Sequence, residues 1–173
     1  MEIKLNKLKA CEDGLIWTKN KSPQEIYETL NRGDWFLWFF NKANPEDVKL
    51  LTLVKGHCAN TVRHLMKDQR STHAVDMAIA FGEGKATLEE LIDACDSAYE
   101  CAEEIGEQNE KDFENRDESA YSAAYSAYSA SDINADGAAT AAYASEASED
   151  KNKNLKETAD IARKYIPFNI LNL

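Results

Sequence analysis

The sequence predicts an all-α fold: a single compact multi-helix bundle with one long acidic helix and a group of Ala/Tyr/Ser-rich helices. Three observations lead there. Gly (7) and Pro (3) are scarce, so little interrupts long elements. Apolar residues recur at three- and four-residue steps, and the two-residue alternation of a half-buried strand is hard to find anywhere. Helix-start signals, Ser22-Pro23-Gln24-Glu25 and Thr87-Leu88-Glu89-Glu90, stand in front of apolar stretches. At 173 residues, the chain is long enough for one domain with a real core.

Taken in order, a first helix is expected over residues 5–19, with Leu8, Cys11, Leu15 and Ile16 facing inward. Ser22 as N-cap, Pro23 at the first helical position and Glu25 reaching back start a short helix carrying Ile26, Tyr27 and Leu30. Gly33 stops it, and Asp34 is placed to cap the next turn. There Trp35, Trp38 and Phe39 share a face and are expected as the main core anchor, packed on the helix that follows. Asn44-Pro45-Glu46-Asp47 opens that helix by the same cap-then-proline logic, with a stripe of Val48, Leu51, Val54, Cys58, Val62 and Leu65 ending near Asp68. Ser71 or Thr72 caps a shorter helix through Ala74, Val75, Ala78 and Phe81, stopped by Gly82 and Gly84. Thr87 launches the acidic helix. Residues 119–148 are biased to Ala, Ser and Tyr, and the regular register of Tyr121, Tyr125 and Tyr128 argues for packed helix rather than disorder. A last helix over residues 155–165 turns Leu155, Ala159, Ala162 and Ile166 inward, and Phe168, Ile170 and Leu171 are expected to tuck the tail back.

The acidic helix is the feature that points to function. Glu89, Asp93, Asp96, Glu100, Glu103, Glu107, Glu110, Glu114 and Asp117 alternate at steps of four and three. On one helix that spacing aligns all nine along a single face for about eight turns. Leu88, Leu91, Ile92, Cys95, Ala98, Tyr99, Ala102 and Ile105 repeat with the same period and are expected to form the core-facing stripe. Between residues 89 and 118 there are thirteen carboxylates and two bases, Lys111 and Arg116. Like charges one turn apart cost about 0.2–0.5 kcal/mol each. A one-sign ridge is therefore plain solvated surface, a docking face for a basic protein partner or, as the lesser alternative, a site for divalent cations. Direct nucleic-acid binding is disfavoured, because the ridge repels phosphate. The charge is uneven: residues 1–86, the aromatic-core half, hold 13 bases and 11 acids, and the Ala-rich half, 87–173, holds 7 and 20.

Other constellations carry less. Asp132-Ile133-Asn134-Ala135-Asp136-Gly137 matches the first half of a calcium loop, yet position 12 is Tyr143, where a bidentate Glu is needed. A polar break between two helices, with Asn134 or Asp136 as cap, is the better reading. His57, His64 and His73 lack the Glu-x-x-His element of bundle metal sites, so no metal and no cofactor is expected. Walker, H-E-x-x-H, G-x-S-x-G and dinucleotide motifs are missing, and no catalytic residue is assigned. Cys11, Cys58, Cys95 and Cys101 form no C-x-x-C pair and are expected as buried free thiols in a reducing cytoplasm. The densest apolar run, residues 35–40, is far too short to span a bilayer, so no membrane association is expected.

Ala10-Cys11 with Trp17, then Arg32-Gly33-Asp34-Trp35 leading to Leu37-Trp38, resembles the amino-terminal block of uncharacterised phage-encoded Ala-rich helical proteins. Cys58-Ala59 followed by Val62, then Arg70, Ala74, Ala78 and Gly84, and Leu88 through Leu91 with Ala94, is similar to the Imm-5-like immunity proteins. So are the Ala-rich middle and the ending Ala159-Asp160-Ile161-Ala162-Arg163-Lys164-Tyr165. The resemblance implies an all-helical inhibitor of a toxin or of a host defence effector, and it brings no catalytic residues.

Three functions follow from different features. The first is a stoichiometric inhibitor, of immunity or phage anti-defence type, whose ridge covers a basic surface such as the nucleic-acid groove of a nuclease. The second is a structural or assembly module, a homo-oligomer built through the Ala/Tyr/Ser helices. The third is a metal-dependent helical-bundle enzyme, for which only scattered His and acidic residues speak.

Overall fold

The computed structural model describes Leu5 and residues 7–170, and among these it contains nine α-helices and no strand. They are α1 (Glu12–Thr18), α2 (Pro23–Thr29), α3 (Gly33–Ala43), α4 (Val48–Ala59), α5 (Gln69–Gly82), α6 (Leu88–Lys111), α7 (Glu118–Ser131), α8 (Gly137–Ala147) and α9 (Lys151–Tyr165). Short 3₁₀ turns lie at Asn60–Leu65, Phe113–Asn115 and Phe168–Ile170. The helix α4 is the axis and packs against α5, α7, α8 and α9. The hairpin of α7 and α8 lies along it. On the α7 side α5 and α6 complete the bundle, and on the α8 side α3 and α9 do.

Two kinds of core result. Where α3, α4 and α9 meet, Leu37, Phe40, Val54, Cys58 and Ile166 are fully buried. Elsewhere the interior is mostly alanine: Ala78, Ala94, Ala98, Ala123, Ala127 and Ala144 lose almost all exposure. Small faces let backbones approach. At Gly82 an added Cβ would lie 2.7 Å from Leu53 Cα and 2.8 Å from its nitrogen, atoms that have little room to yield. Several buried hydroxyls are satisfied on backbone: Ser126 donates to the Thr140 carbonyl (2.9 Å) and Thr158 to that of Asn154 (3.0 Å).

Local signals hold where cap and helix are adjacent. Both expected capping boxes form, Ser22 with Glu25 and Thr87 with Glu90. Gly82 ends α5, Asp136 caps α8, and residues 118–131 are helical. Several boundaries move. The expected first helix breaks at Lys9, whose φ is 60°, and restarts at Glu12, leaving Cys11 and Ile16 exposed. The helix α2 ends at Thr29, and Gly33 begins α3 instead of stopping α2. Asp34 then sits in the first turn, held by Arg32 at 2.8 and 2.5 Å, and does not cap. Asn44 closes α3, and Asp47 caps α4, its side chain accepting from the Leu50 N–H. Asp68, not Ser71 or Thr72, caps α5; Ser71 is buried one turn inside.

The aromatic anchor is also rotated from its expected position. Phe36, Leu37 and Phe40 are the buried residues of α3 with Phe39, while Trp35 and Trp38 are half-buried. Their helix packs chiefly on α8 and α9, not on α4. Six consecutive large apolar side chains left the choice of face to fit, and the smaller rings and Leu37 enter the tight interior. The buried free thiols are Cys58 and Cys101; Cys95 is half-buried and Cys11 exposed. Phe168 packs on Tyr27, ring centres 5.5 Å apart, and Ile170 joins the main core. Leu171, and Asn6 of the expected first helix, lie outside the described residues.

Candidate docking surface

The helix α6 runs 24 residues from its Thr87 cap: the Thr87 hydroxyl accepts from the Glu90 N–H (3.2 Å) and the Glu90 carboxylate from the Thr87 N–H (2.7 Å). Leu91, Ala94, Ala98, Cys101 and Ala102 face inward, against α5 and α7. This face is made mostly of small side chains, so α6 sits close to its neighbours and the larger residues are pushed to the rim. Leu88, Ile92 and Tyr99, expected in the core stripe, are 45, 44 and 44% exposed, while Cys95 and Ile105 are half-buried.

Seven of the nine expected carboxylates, Glu89, Asp93, Asp96, Glu100, Glu103, Glu107 and Glu110, stand exposed along the outer side of α6. The other two leave the row. The helix ends at Lys111, and Glu114 lies in the Phe113–Asn115 turn. Asp117 is half-buried as the N-cap of α7, accepting from the Ala120 N–H (2.9 Å) and pairing with Lys67. Side chains that bond the local backbone break the helix here. Asp112 accepts from the Asn115 N–H (3.3 Å), and Asn109 accepts from the Asp117 N–H (2.9 Å) while donating to its carbonyl (3.3 Å). A continuous ridge of eight turns is thus shortened to the length of α6.

Partners within the molecule are few. Glu103 accepts a hydrogen bond from Tyr125, and Glu107 pairs with Lys111 at 3.1 Å. Glu89, Asp93, Asp96, Glu100 and Glu110 meet no basic side chain among the described residues. Arg70 lies against Glu104, outside the row, and against Asp68, whose carboxyl these bonds hold below its ordinary pKa.

Beside the carboxylates runs a row of rings that sequence reading did not connect to them. Tyr99 lies on Tyr128 (5.1 Å between ring centres), Tyr128 on Tyr125 (6.1 Å), and Tyr125 on Tyr121 (4.8 Å) and Tyr143 (5.2 Å). Burial, then the hydrogen bond to Glu103, pushes the Tyr125 phenol well above its ordinary pKa, so it remains a donor. The four-and-three spacing of Tyr121, Tyr125 and Tyr128 was the available signal, but their adjacency to Tyr99 depends on how α6 and α7 pack.

The remaining candidates resolve differently. In the Asp132–Gly137 stretch, Asp132 accepts from the Asn134 N–H (2.8 Å) and Asp136 from the Ala138 N–H (3.0 Å). Its carbonyls face Lys55, whose ammonium donates to Asp132 O (2.6 Å) and lies 3.5 Å from Ala135 O. The loop already holds a cation, supplied by the chain. His57 stacks on Tyr165 (4.7 Å), His64 and His73 are exposed, and Asp76 is engaged by Arg63 (2.6 Å). Among the described residues no three His, Cys, Asp or Glu side chains converge to hold a metal ion, and no helix is long and apolar enough to cross a membrane. The small-residue faces of α7 and α8 are buried inside the bundle, against each other and against α4 and α5. No protein-family model matches the chain, and no curated protein or solved structure is significantly similar to it.

Proposed function

We propose that the protein is a stoichiometric inhibitor, of immunity or phage anti-defence type, that binds an electropositive protein surface through the outer side of α6. The observation that carries this reading is the row of seven exposed carboxylates, six without a basic neighbour among the described residues, bordered by Leu88, Ile92, Tyr99 and the tyrosines of α7. Such a surface offers a partner two contributions. The carboxylates steer a basic surface during encounter, and the flanking rings and aliphatic side chains supply apolar area at contact. A basic nucleic-acid groove fits both, with carboxylates standing where phosphates would. Assembly through the Ala/Tyr/Ser helices has less support, because their small faces are already used within the bundle.

The test is a capture experiment from host lysate with two baits, the parent chain and an Asp93→Lys/Asp96→Lys/Glu100→Lys variant checked for helicity. A basic protein held by the parent at low salt, released at high salt and missed by the variant is the expected result. Retention of the same protein by both baits, or of no basic protein by the parent, overturns the reading. Sedimentation at several concentrations separates it from assembly, which requires mass to rise with concentration.

A further inference from the structure

The end of the bundle around α1, α2 and α3 holds a cavity that shares no residue with the acidic surface. Leu5, the segment through α1, and α2 and α3 enclose about 310 Å³, with Ala138 of α8 contributing to the wall. Its lining is dominated by rings: Trp17, Tyr27, Trp35, Phe36, Trp38 and Phe39. Sites for small molecules begin at about this volume, and an apolar cavity of about half the size already accepts benzene.

Three of the polar side chains that reach the lining are engaged elsewhere. Asp34 is taken by Arg32, Thr18 donates to the Gly14 carbonyl (2.9 Å), and the Tyr27 hydroxyl to that of Ile166 (3.0 Å). Lys9 is exposed and belongs to the rim. A cationic ligand finds ring faces already served: Lys21 lies 3.8 Å above Trp17 and Arg32 4.6 Å above Trp35. Inside the rim, a charged guest of either sign would therefore lose its water without gaining an ionic partner. Flat apolar guests lose little and match the walls, since aromatic rings stack or meet edge to face.

We infer that this cavity is a binding site for an uncharged, ring-bearing apolar small molecule. Cys11, whose thiol is exposed at the same wall, is a built-in reporter of occupancy.

The experiment titrates the full chain with N-phenylnaphthylamine, which is neutral and brightens in apolar surroundings, and with its anionic sulfonated analogue. Saturable one-to-one binding of the neutral probe, weaker by about tenfold or more for the anion, is expected. Ala10→Phe and Ala138→Phe, each placing a ring inside the cavity, should weaken the neutral probe by about tenfold or more while helicity is kept. Bound probe should also slow alkylation of Cys11 by several-fold. Absence of saturable binding, equal affinity for the anion, unchanged affinity in the folded variants, or unchanged Cys11 reactivity overturns the inference. If one variant fails to fold, the other and the Cys11 protection still decide it.

Discussion

Lys55 reaches the centre of the bundle because its register on α4 is apolar: Leu51, Lys55 and Cys58 follow at steps of four and three, and Lys55 itself is fully buried. A lysine in that register, with an acidic loop elsewhere to receive it, was the readable hint, although the pairing spans 77 residues. Burial favours the neutral amine and lowers its pKa to about 8, despite the opposing pull of Asp132, Cys95 and Asp136. The unfolded chain holds that proton up to 10.5, so the penalty is complete below about pH 8 and fades between 8 and 10.5. Stability should rise with pH across that window. Burial raises the pKa of the Cys95 thiol to about 11 and that of the Tyr128 phenol above its ordinary value, and these act with the opposite sign. The comparison is therefore with Lys55→Met, which keeps both. In urea titrations the parent should gain on the variant by up to about 3 kcal/mol between neutral and strongly basic pH. A constant difference would mean that the ammonium keeps its charge inside the fold. At the other core, Phe40→Ala should cost about 3–5 kcal/mol. Trp38→Ala, at a half-buried ring, should cost clearly less, about 1–2 kcal/mol by urea midpoint.

Among the helices, α6 makes the most direct test of repulsion against pairing. Asp96 and Glu100 are one turn apart and unpaired among the described residues, so Asp96→Asn/Glu100→Gln should raise thermal stability by about 0.2–0.5 kcal/mol. Glu103→Gln removes charge from the same face but weakens the bond from Tyr125. It should lower stability by about 0.5–1 kcal/mol. Equal effects from the two changes would show that the Tyr125 bond contributes nothing. The contact of α4 with α5 gives another case: Gly82→Ala gains about 1 kcal/mol of helix propensity but collides with the Leu53 backbone. A net loss of about 1–3 kcal/mol is expected in chemical denaturation. How far such elements were legible depended on the range of the forces that set them. Ser22 and Thr87 bond within three residues, and their boxes were readable. The choice between Asn44 and Asp47, or between Asp68 and Ser71, lay with distant packing. So did the rotation of α6, whose Ala and Cys face wins because α5 and α7 leave no room for Leu88, Ile92 and Tyr99.

The assembled bundle closes on itself through α2 and α9, an association that periodicity could not reveal. Arg163 donates to the carbonyls of Leu30 (2.7 Å) and Tyr27 (3.2 Å), and the Tyr27 hydroxyl donates to Ile166 O (3.0 Å). Arg163→Ala strands two C-terminal carbonyls of α2 and should lower the unfolding free energy by about 1–3 kcal/mol; an unchanged urea midpoint would show that water replaces it. The two interiors each draw on both portions of the sequence: the Phe- and Leu-rich one takes Ala141, Ala162 and Ile166 from the acidic portion, and an Ala-rich one takes Ala59, Val75, Ala78 and Phe81 from the near-neutral portion. The chromophores divide more cleanly. Trp17, Trp35 and Trp38 all border the cavity, whereas Tyr99, Tyr121, Tyr125, Tyr128 and Tyr143 lie beside the carboxylates of α6. Indole emission thus reports on one region of the protein and most of the phenol absorption on another. A guest in the cavity is expected to shift the emission and leave those phenol bands in place, and a tryptophan-free protein docked on α6 is expected to do the reverse. An unlabelled sample in a cuvette therefore distinguishes the two binding events by colour.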